Sequence, residues 1–189
     1  MRLFVAVDLP ENVKGILDAV RAPLRTALPR SRWVGKPAFH VTLAFLGEVE
    51  ASLVPTLSIA LRKGLEQESS FRARFAGLGT FPHAGRVRTV WVGLEPAARF
   101  ARLAERVQDA LATLGIAFDD RPFRSHVTLA RCDPPWPAKS RTALATLAAS
   151  CDESLSAASL VCDRVTLFSS VLERGGPTYR AEAEIMLSS

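Results

Sequence analysis

The sequence predicts an α+β fold of two related lobes, with mostly antiparallel sheets flanking a central cleft and helices on the outer faces. Three observations carry that expectation. Segments of strand character alternate with segments of helical spacing, and some strands follow one another across short Pro/Gly turns, which suits antiparallel pairing. The phrase HVTLA occurs twice, at residues 40–44 and 126–130, in a chain with only three histidines. The elements around the second copy echo those around the first, which points to a pseudo-twofold axis. No linker rich in Gly, Pro or Ser interrupts the chain, so residues 1–189 are expected to form a single two-lobed domain carrying one motif at 40–43 and the other at 126–129.

Taken in order, residues 1–7 are β-rich. Asp8 and Glu11 then have the spacing of a helix capping box, with Pro10 in the first turn. Val13, Ile16, Leu17, Val20 and Leu24 follow at helical spacing. A short basic segment, PRSRWVGKP, leads into the first HVTLA strand, which is expected to stop at Gly47. Residues 51–66 are again helical in spacing, and 71–81 and 87–94 read as strands joined by the loop FPHAGR. Phe100, Leu103, Val107, Leu111 and Leu114 form one helical stripe that ends at Gly115. After FDDRPF comes the second HVTLA strand, then a loop, RCDPPWPAK, and a short Ala-rich helix near 138–150. Two last strands, 160–168 and 179–186, are joined through ERGGPT.

Composition narrows the function. At 48% hydrophobic and 23% charged the chain is globular rather than disordered. Its formal charge of +5 favours an anionic partner, and the cations are dispersed, with no run of five or six. That suits a phosphate-bearing ligand better than a polybasic nucleic-acid tail. Cys132, Cys151 and Cys162 form an odd set without a CxxC pair, which argues against a disulfide framework and a cysteine-rich zinc site. The opening MRLFVAVDLP is apolar for too few residues to be a signal peptide, and no stretch approaches the length of a membrane span. A cytoplasmic monomer without membrane association is expected.

Side chains alternate across a strand. In the first copy His40, Thr42 and Ala44 face one way, and Phe39, Val41, Leu43 and Phe45 the other. In the second, His126, Thr128 and Ala130 share a face, with Val127 and Leu129 opposite. Each phrase therefore offers an apolar side for a helix to cover and a side presenting imidazole and hydroxyl together. If a twofold brings the polar sides to one cleft, one imidazole can accept a proton while the other donates. The hydroxyls can donate to non-bridging phosphate oxygens. In-line displacement at phosphorus asks for that layout. A single His-x-Thr strand is an ordinary half-buried strand; packing alone does not require it twice in the same register. A metal site would need a third ligand, and neither HExxH nor a local Cys/His/Asp cluster is present, so no metal and no cofactor is expected. His83, in the Pro/Gly loop, reads as a surface histidine, and Cys132 as a buried small residue. Trp33, with Arg30, Arg32 and Lys36, either stacks a base and contacts backbone phosphates or tucks its loop onto the core.

With these residues in view the chain resembles the two-histidine phosphoesterase superfamily, and within it the RNA 2′,3′-cyclic phosphodiesterases once described as 2′-5′ RNA ligases. The resemblance rests on RLFVAVDLP, Trp33 ahead of FHVTLAFLGEV, FP before VWVG, FRSHVTLAR and LFSSVLERGGPTY, in that order. Ser125 departs from the proline that relatives usually carry there. The resemblance implies metal-independent hydrolysis of a 2′,3′-cyclic phosphate to a 2′-phosphomonoester. In that scheme His40 protonates the departing O3′, His126 activates water, Thr42 and Thr128 hold the phosphate oxygens, and Arg131 lies near the phosphate. Strand alternation alone puts Arg131 on the face opposite His126, so the chain must twist or end there. The implied partners are RNA with 2′,3′-cyclic phosphate ends, or cyclic nucleotides. The alternatives are action on 2′-5′ linkages or other small cyclic phosphates, including ligation, and an RNA-end binding module with little turnover.

Overall fold

The computed structural model describes residues 1–119, 121–173 and 176–189, so FDDRPF at position 120 and ERGGPT at 174 and 175 lie partly outside the described residues. The elements run β1 (Arg2–Asp8), α1 (Glu11–Ala27), β2 (Arg32–Trp33), β3 (His40–Glu48), α2 (Val54–Leu65), β4 (Phe71–Phe81), β5 (Val87–Glu95) and α3 (Ala97–Ala112). The second half continues with β6 (His126–Trp136), α4 (Ser140–Ser156), β7 (Ser159–Cys162), β8 (Arg164–Glu173) and β9 (Gly176–Met186).

The strands form one antiparallel sheet in the order β7-β4-β5-β6-β3-β1-β8-β9, with the short β2 beside β6. The two HVTLA strands are the inner pair. They meet at a single register point, where Val41 opposes Val127, the second residue of each phrase. The pseudo-twofold axis therefore passes through equivalent residues. Beyond it the strands part: Arg32 and Trp33 of β2 pair with Arg131 and Ala130, and on the other side the Asp119 N–H donates to the Phe45 carbonyl at 3.1 Å.

Helices cover one face. Val13, Leu17, Val20 and Leu24 of α1, Leu57, Leu61 and Leu65 of α2, and Phe100, Leu103 and Val107 of α3 share one core with Val5, Val7, Val41, Leu43, Val127 and Leu129. Fully burying each such side chain contributes about 1.5–3 kcal/mol, so this face fixes the lobes in place. The opposite face carries a separate small cluster, Phe4, Ala6 and Phe168 with Phe45 and Tyr179 against it. The cleft side is thus the face the helices leave open.

Several local expectations change. The residue before α1 is Pro10, with no side-chain cap bond, and the Asp8 carboxylate instead meets the Lys14 ammonium at 2.8 Å. The stretch 160–168 is two strands: β7 pairs with β4 at one edge, and β8 crosses to β1 in the other lobe. Apolar periodicity reads both as strand and carries no sign of the change of partner at Asp163. Residues 131–136, expected as loop, continue β6. The helical turn at Gly115 matches the sequence, with φ +66° and the Ile116 N–H on the Leu111 carbonyl at 3.1 Å.

Candidate active site

His40 and His126 are the first residues of β3 and β6 and flank the Val41–Val127 point from equivalent positions. Each ring is fixed in the same way. His40 Nδ1 lies 2.9 Å from the Ala38 carbonyl, and His126 Nδ1 lies 2.7 Å from the Arg124 carbonyl. A carbonyl only accepts, so Nδ1 carries the proton in both neutral rings and Nε2 is the basic atom. His40 Nε2 is 2.9 Å from Thr42 Oγ1, which donates to it. Thr42 and Thr128 are half-buried on the same face as their histidines.

Both rings sit against aromatic walls. Phe4 lies 4.8 Å from His40 and Tyr179 meets it edge-on at 5.3 Å. Phe81 meets His126 edge-on at 5.1 Å, with Trp91 at 6.1 Å. Burial pushes the His40 imidazolium down to about 4, and burial lowers His126 as well, with Arg131, Arg124 and Arg121 adding repulsion. The Trp91 indole fits only because residue 79 is glycine: a Cβ there would meet the ring carbons at 2.3 Å.

Strict alternation fails in both phrases, at the same place. Val5 pairs with Ala44 and Ala6 with Thr42, and in the other lobe Val90 pairs with Ala130 and Trp91 with Thr128. Each motif strand therefore carries one extra residue, a β-bulge, just after its threonine. The bulge turns Ala44 and Ala130 into the helix-covered core, where both are buried, instead of onto the histidine face. It also swings the next residue to the cleft: Phe45 in the first lobe, Arg131 in the second. Arg131 opposes Thr89, and Thr89 opposes Phe81, the ring against His126. The arginine thereby reaches the histidine face without the strand ending.

Arg32 pairs directly with Arg131 and shares its side; it is exposed, with Asp133 at 3.8 Å. Trp33 opposes Ala130, is half-buried, and packs on the core with Trp136 at 6.4 Å. Ser125 is buried and its hydroxyl donates to the Leu94 carbonyl at 2.8 Å, a bond proline could not make. His83 is exposed, yet its ring lies 5.6 Å from Phe81, and the Arg124 guanidinium donates to its Nε2 at 2.6 Å. It belongs to the rim of the site. Phe4, Trp91, Arg124 and Tyr179 were not singled out by sequence reasoning, although each lies within a quoted segment: RLFVAVDLP, VWVG, FRSHVTLAR and GGPTY. Among the described residues no group of three or more His, Cys, Asp or Glu side chains is placed to hold a metal ion.

The profile of the 2'-5' RNA ligase superfamily matches residues 9–173, most of the chain, both motifs included. The chain belongs to this superfamily. Its relatives include proteins named RNA 2',3'-cyclic phosphodiesterase from Thermus thermophilus, 37% identical over 72% of this chain and 71% of that one, and from Geobacillus stearothermophilus, 34% identical over 68% of this chain. The match spans 41% of the Geobacillus protein's length. Among solved structures, TT0787 of Thermus thermophilus superposes with a TM-score of 0.78 at 28% identity, covering 99% of this chain and 98% of that one. E. coli LigT complexed with 3'-AMP gives 0.72 at 26%, covering 100% and 98%. The superfamily fold is thus the fold of this chain. No helix among the described residues is long and apolar enough to cross a membrane.

Proposed function

We propose that this chain hydrolyses the 2′,3′-cyclic phosphate ends of RNA to 2′-phosphomonoesters, by proton transfers between two imidazoles and without a metal. The observation that carries the reading is the pair of imidazoles whose Nδ1–H groups are held by backbone carbonyls, leaving Nε2 as the basic atom of each, equivalent across a pseudo-twofold axis on one open face. His126 takes a proton from water as its oxygen bonds to phosphorus. The P–O3′ bond breaks opposite, and His40 gives its proton to O3′. The phosphate stays on O2′. Thr42 and Thr128 donate to its non-bridging oxygens, and the Arg131 cation offsets the negative charge that grows there. The names and the 3'-AMP complex of the relatives support the substrate class.

The test is incubation with a 2′,3′-cyclic nucleotide and cyclic-ended RNA in EDTA, with the product's phosphate position read by NMR. A 2′-phosphate is expected. His40→Ala and His126→Ala should each lower kcat by roughly 10²–10⁴, with the double variant little worse than the weaker single. Loss of activity on chelation, restored by zinc or manganese, would transfer the chemistry to a metal. Binding without turnover would make the chain an RNA-end binding module.

A further inference from the structure

The two imidazoles are oriented by the same kind of bond, but the backbone that supplies it is held differently in the two lobes. The Ala38 carbonyl, the acceptor for His40 Nδ1, ends a short 3-10 turn, Lys36–Ala38. That turn closes on itself. The Ala38 N–H donates to the Gly35 carbonyl at 2.9 Å, and the Phe39 N–H to the Lys36 carbonyl at 3.3 Å. Phe39, between the acceptor and the ring, is fully buried, and its side chain has no polar group to satisfy.

Among the described residues just ahead of His126 there is no such turn. Residues 122–125 are neither helix nor strand, and the Arg124 carbonyl, 2.7 Å from His126 Nδ1, belongs to that irregular stretch. In the place of Phe39 stands Ser125, a polar residue only 6% exposed. Its hydroxyl donates to the Leu94 carbonyl at 2.8 Å, and its own carbonyl accepts the Leu94 N–H at 3.3 Å. Two bonds of opposite sense thus join residue 125 to β5, one position beyond the Gly93–His126 pair. A buried hydroxyl bonded in this way resists displacement, because breaking the bond strands a donor and a carbonyl away from water. The Arg124 carbonyl and the His126 ring lie on the two sides of that anchor, each one residue from it.

We propose that Ser125 is a positioning residue for His126: by tying the strand entry to β5, its hydroxyl keeps the Arg124 carbonyl on Nδ1 and so reserves Nε2 as the basic atom. A neutral imidazole carries one N–H, and the partner of one nitrogen decides which nitrogen bears it. With the carbonyl free to drift, the ring divides its population between two tautomers, and only one of them accepts a proton at Nε2. The inference rests on the cyclic-phosphodiesterase reading for the use made of Nε2, but not for the placement of the proton on Nδ1. His40, whose acceptor sits in a turn closed by its own bonds, does not depend on Ser125 and serves as the internal reference.

The experiment records proton–nitrogen correlation spectra of the imidazole rings in the substrate-free chain at about pH 8, where ordinary imidazoles are neutral. The rings are assigned with His83→Gln and His126→Gln. Both motif histidines should show the Nδ1–H pattern in the parent chain. Ser125→Ala should move the two His126 nitrogen signals toward each other, the mark of mixed tautomers, and leave those of His40 in place. Ser125→Thr keeps a hydroxyl and should restore the parent pattern. On a cyclic mononucleotide kcat should fall about three- to tenfold in Ser125→Ala, a part of what a general base contributes, and recover in Ser125→Thr, with KM changed less than about twofold. Should the added methyl keep Ser125→Thr from folding, the Ser125→Ala spectrum decides alone. An unmoved His126 pattern in Ser125→Ala, or equal changes at His126 and His40, would overturn the proposal and leave Ser125 a packing residue. A loss carried by KM with kcat intact would overturn it too. A shifted His126 pattern in a chain that does not hydrolyse cyclic phosphates would uphold the role of Ser125 and overturn the substrate reading instead.

Discussion

Two backbone carbonyls, those of Ala38 and Arg124, settle which nitrogen of each histidine can do chemistry. The placement is economical, because each carbonyl lies two residues before its ring on the same chain entry, so the strand that positions the imidazole also orients it. The cost falls on protonation. His40 is depressed from an ordinary value of 6.5 to about 4 by burial. Between those values the unfolded chain binds the proton and the folded chain does not, so folding loses stability as pH falls through that window and levels off below it. From about pH 7 to about pH 5 the loss from this ring is on the order of 2 kcal/mol. Denaturant unfolding of the free chain and of His40→Gln at those two pH values checks it. The variant should lose correspondingly less, and an equal loss would mean that the His40 ring titrates normally in the folded state.

The element that decides the site's composition is the bulge, and it shows where sequence reasoning stops. The order of helices and strands, the paired motifs and their apolar backs could all be read from spacing, because burial on one face writes its period into the residues. The face of Arg131 could not. Alternation within β6 puts it away from His126, and only the register with β5, where Trp91 opposes Thr128 and Val90 opposes Ala130, supplies the extra residue. The split of 160–168 between β7 in one lobe and β8 in the other is hidden for the same reason: pairing partners are long-range. Trp91 was equally hidden, since the room it needs comes from Gly79 on the neighbouring strand. That contact gives an element-scale prediction. Gly79→Ala drives a methyl into the indole, and overpacking of this kind costs about 1–3 kcal/mol. As the ring also walls His126, kcat should fall along with stability. Gly93→Ala meets the same indole at 3.3 Å and should do less of both. Thermal unfolding and turnover of the two variants side by side make the comparison, and a Gly79→Ala enzyme with unchanged kcat would show that the tryptophan does not hold the histidine.

At the scale of the molecule, a nearly symmetric fold handles an unsymmetric substrate, and the asymmetry is concentrated where the bulges deliver Phe45 to one lobe and Arg131 to the other. Phe45 lies with Phe4, Phe168 and Tyr179, and the Arg2 guanidinium stands 5.0 Å over its ring. In the proposed reaction, in-line attack with His126 on the water side sends O3′, and the ribose attached to it, toward this aromatic lobe. The arginine lobe then faces the phosphate. Of the chain's +5 charge, Arg131 and its cross-strand neighbour Arg32 should serve different purposes. In the proposed reaction Arg131 meets the reacting phosphate, which every substrate carries. Arg32 lies on β2, exposed and loosely paired with Asp133, and is proposed to meet only a longer chain. Arg131→Ala or Thr128→Ala should therefore cost about 1.5–3 kcal/mol on a cyclic mononucleotide and on a cyclic-ended RNA alike. Arg32→Ala should spare the mononucleotide, weaken the RNA, and flatten its log–log salt dependence by about 0.7 per lost phosphate contact. Measuring kcat/KM for both substrates across a salt series separates the cases. Equal losses on both from Arg32→Ala would put that residue at the reacting phosphate or in the fold, and no loss on either would mean that RNA does not cross β2.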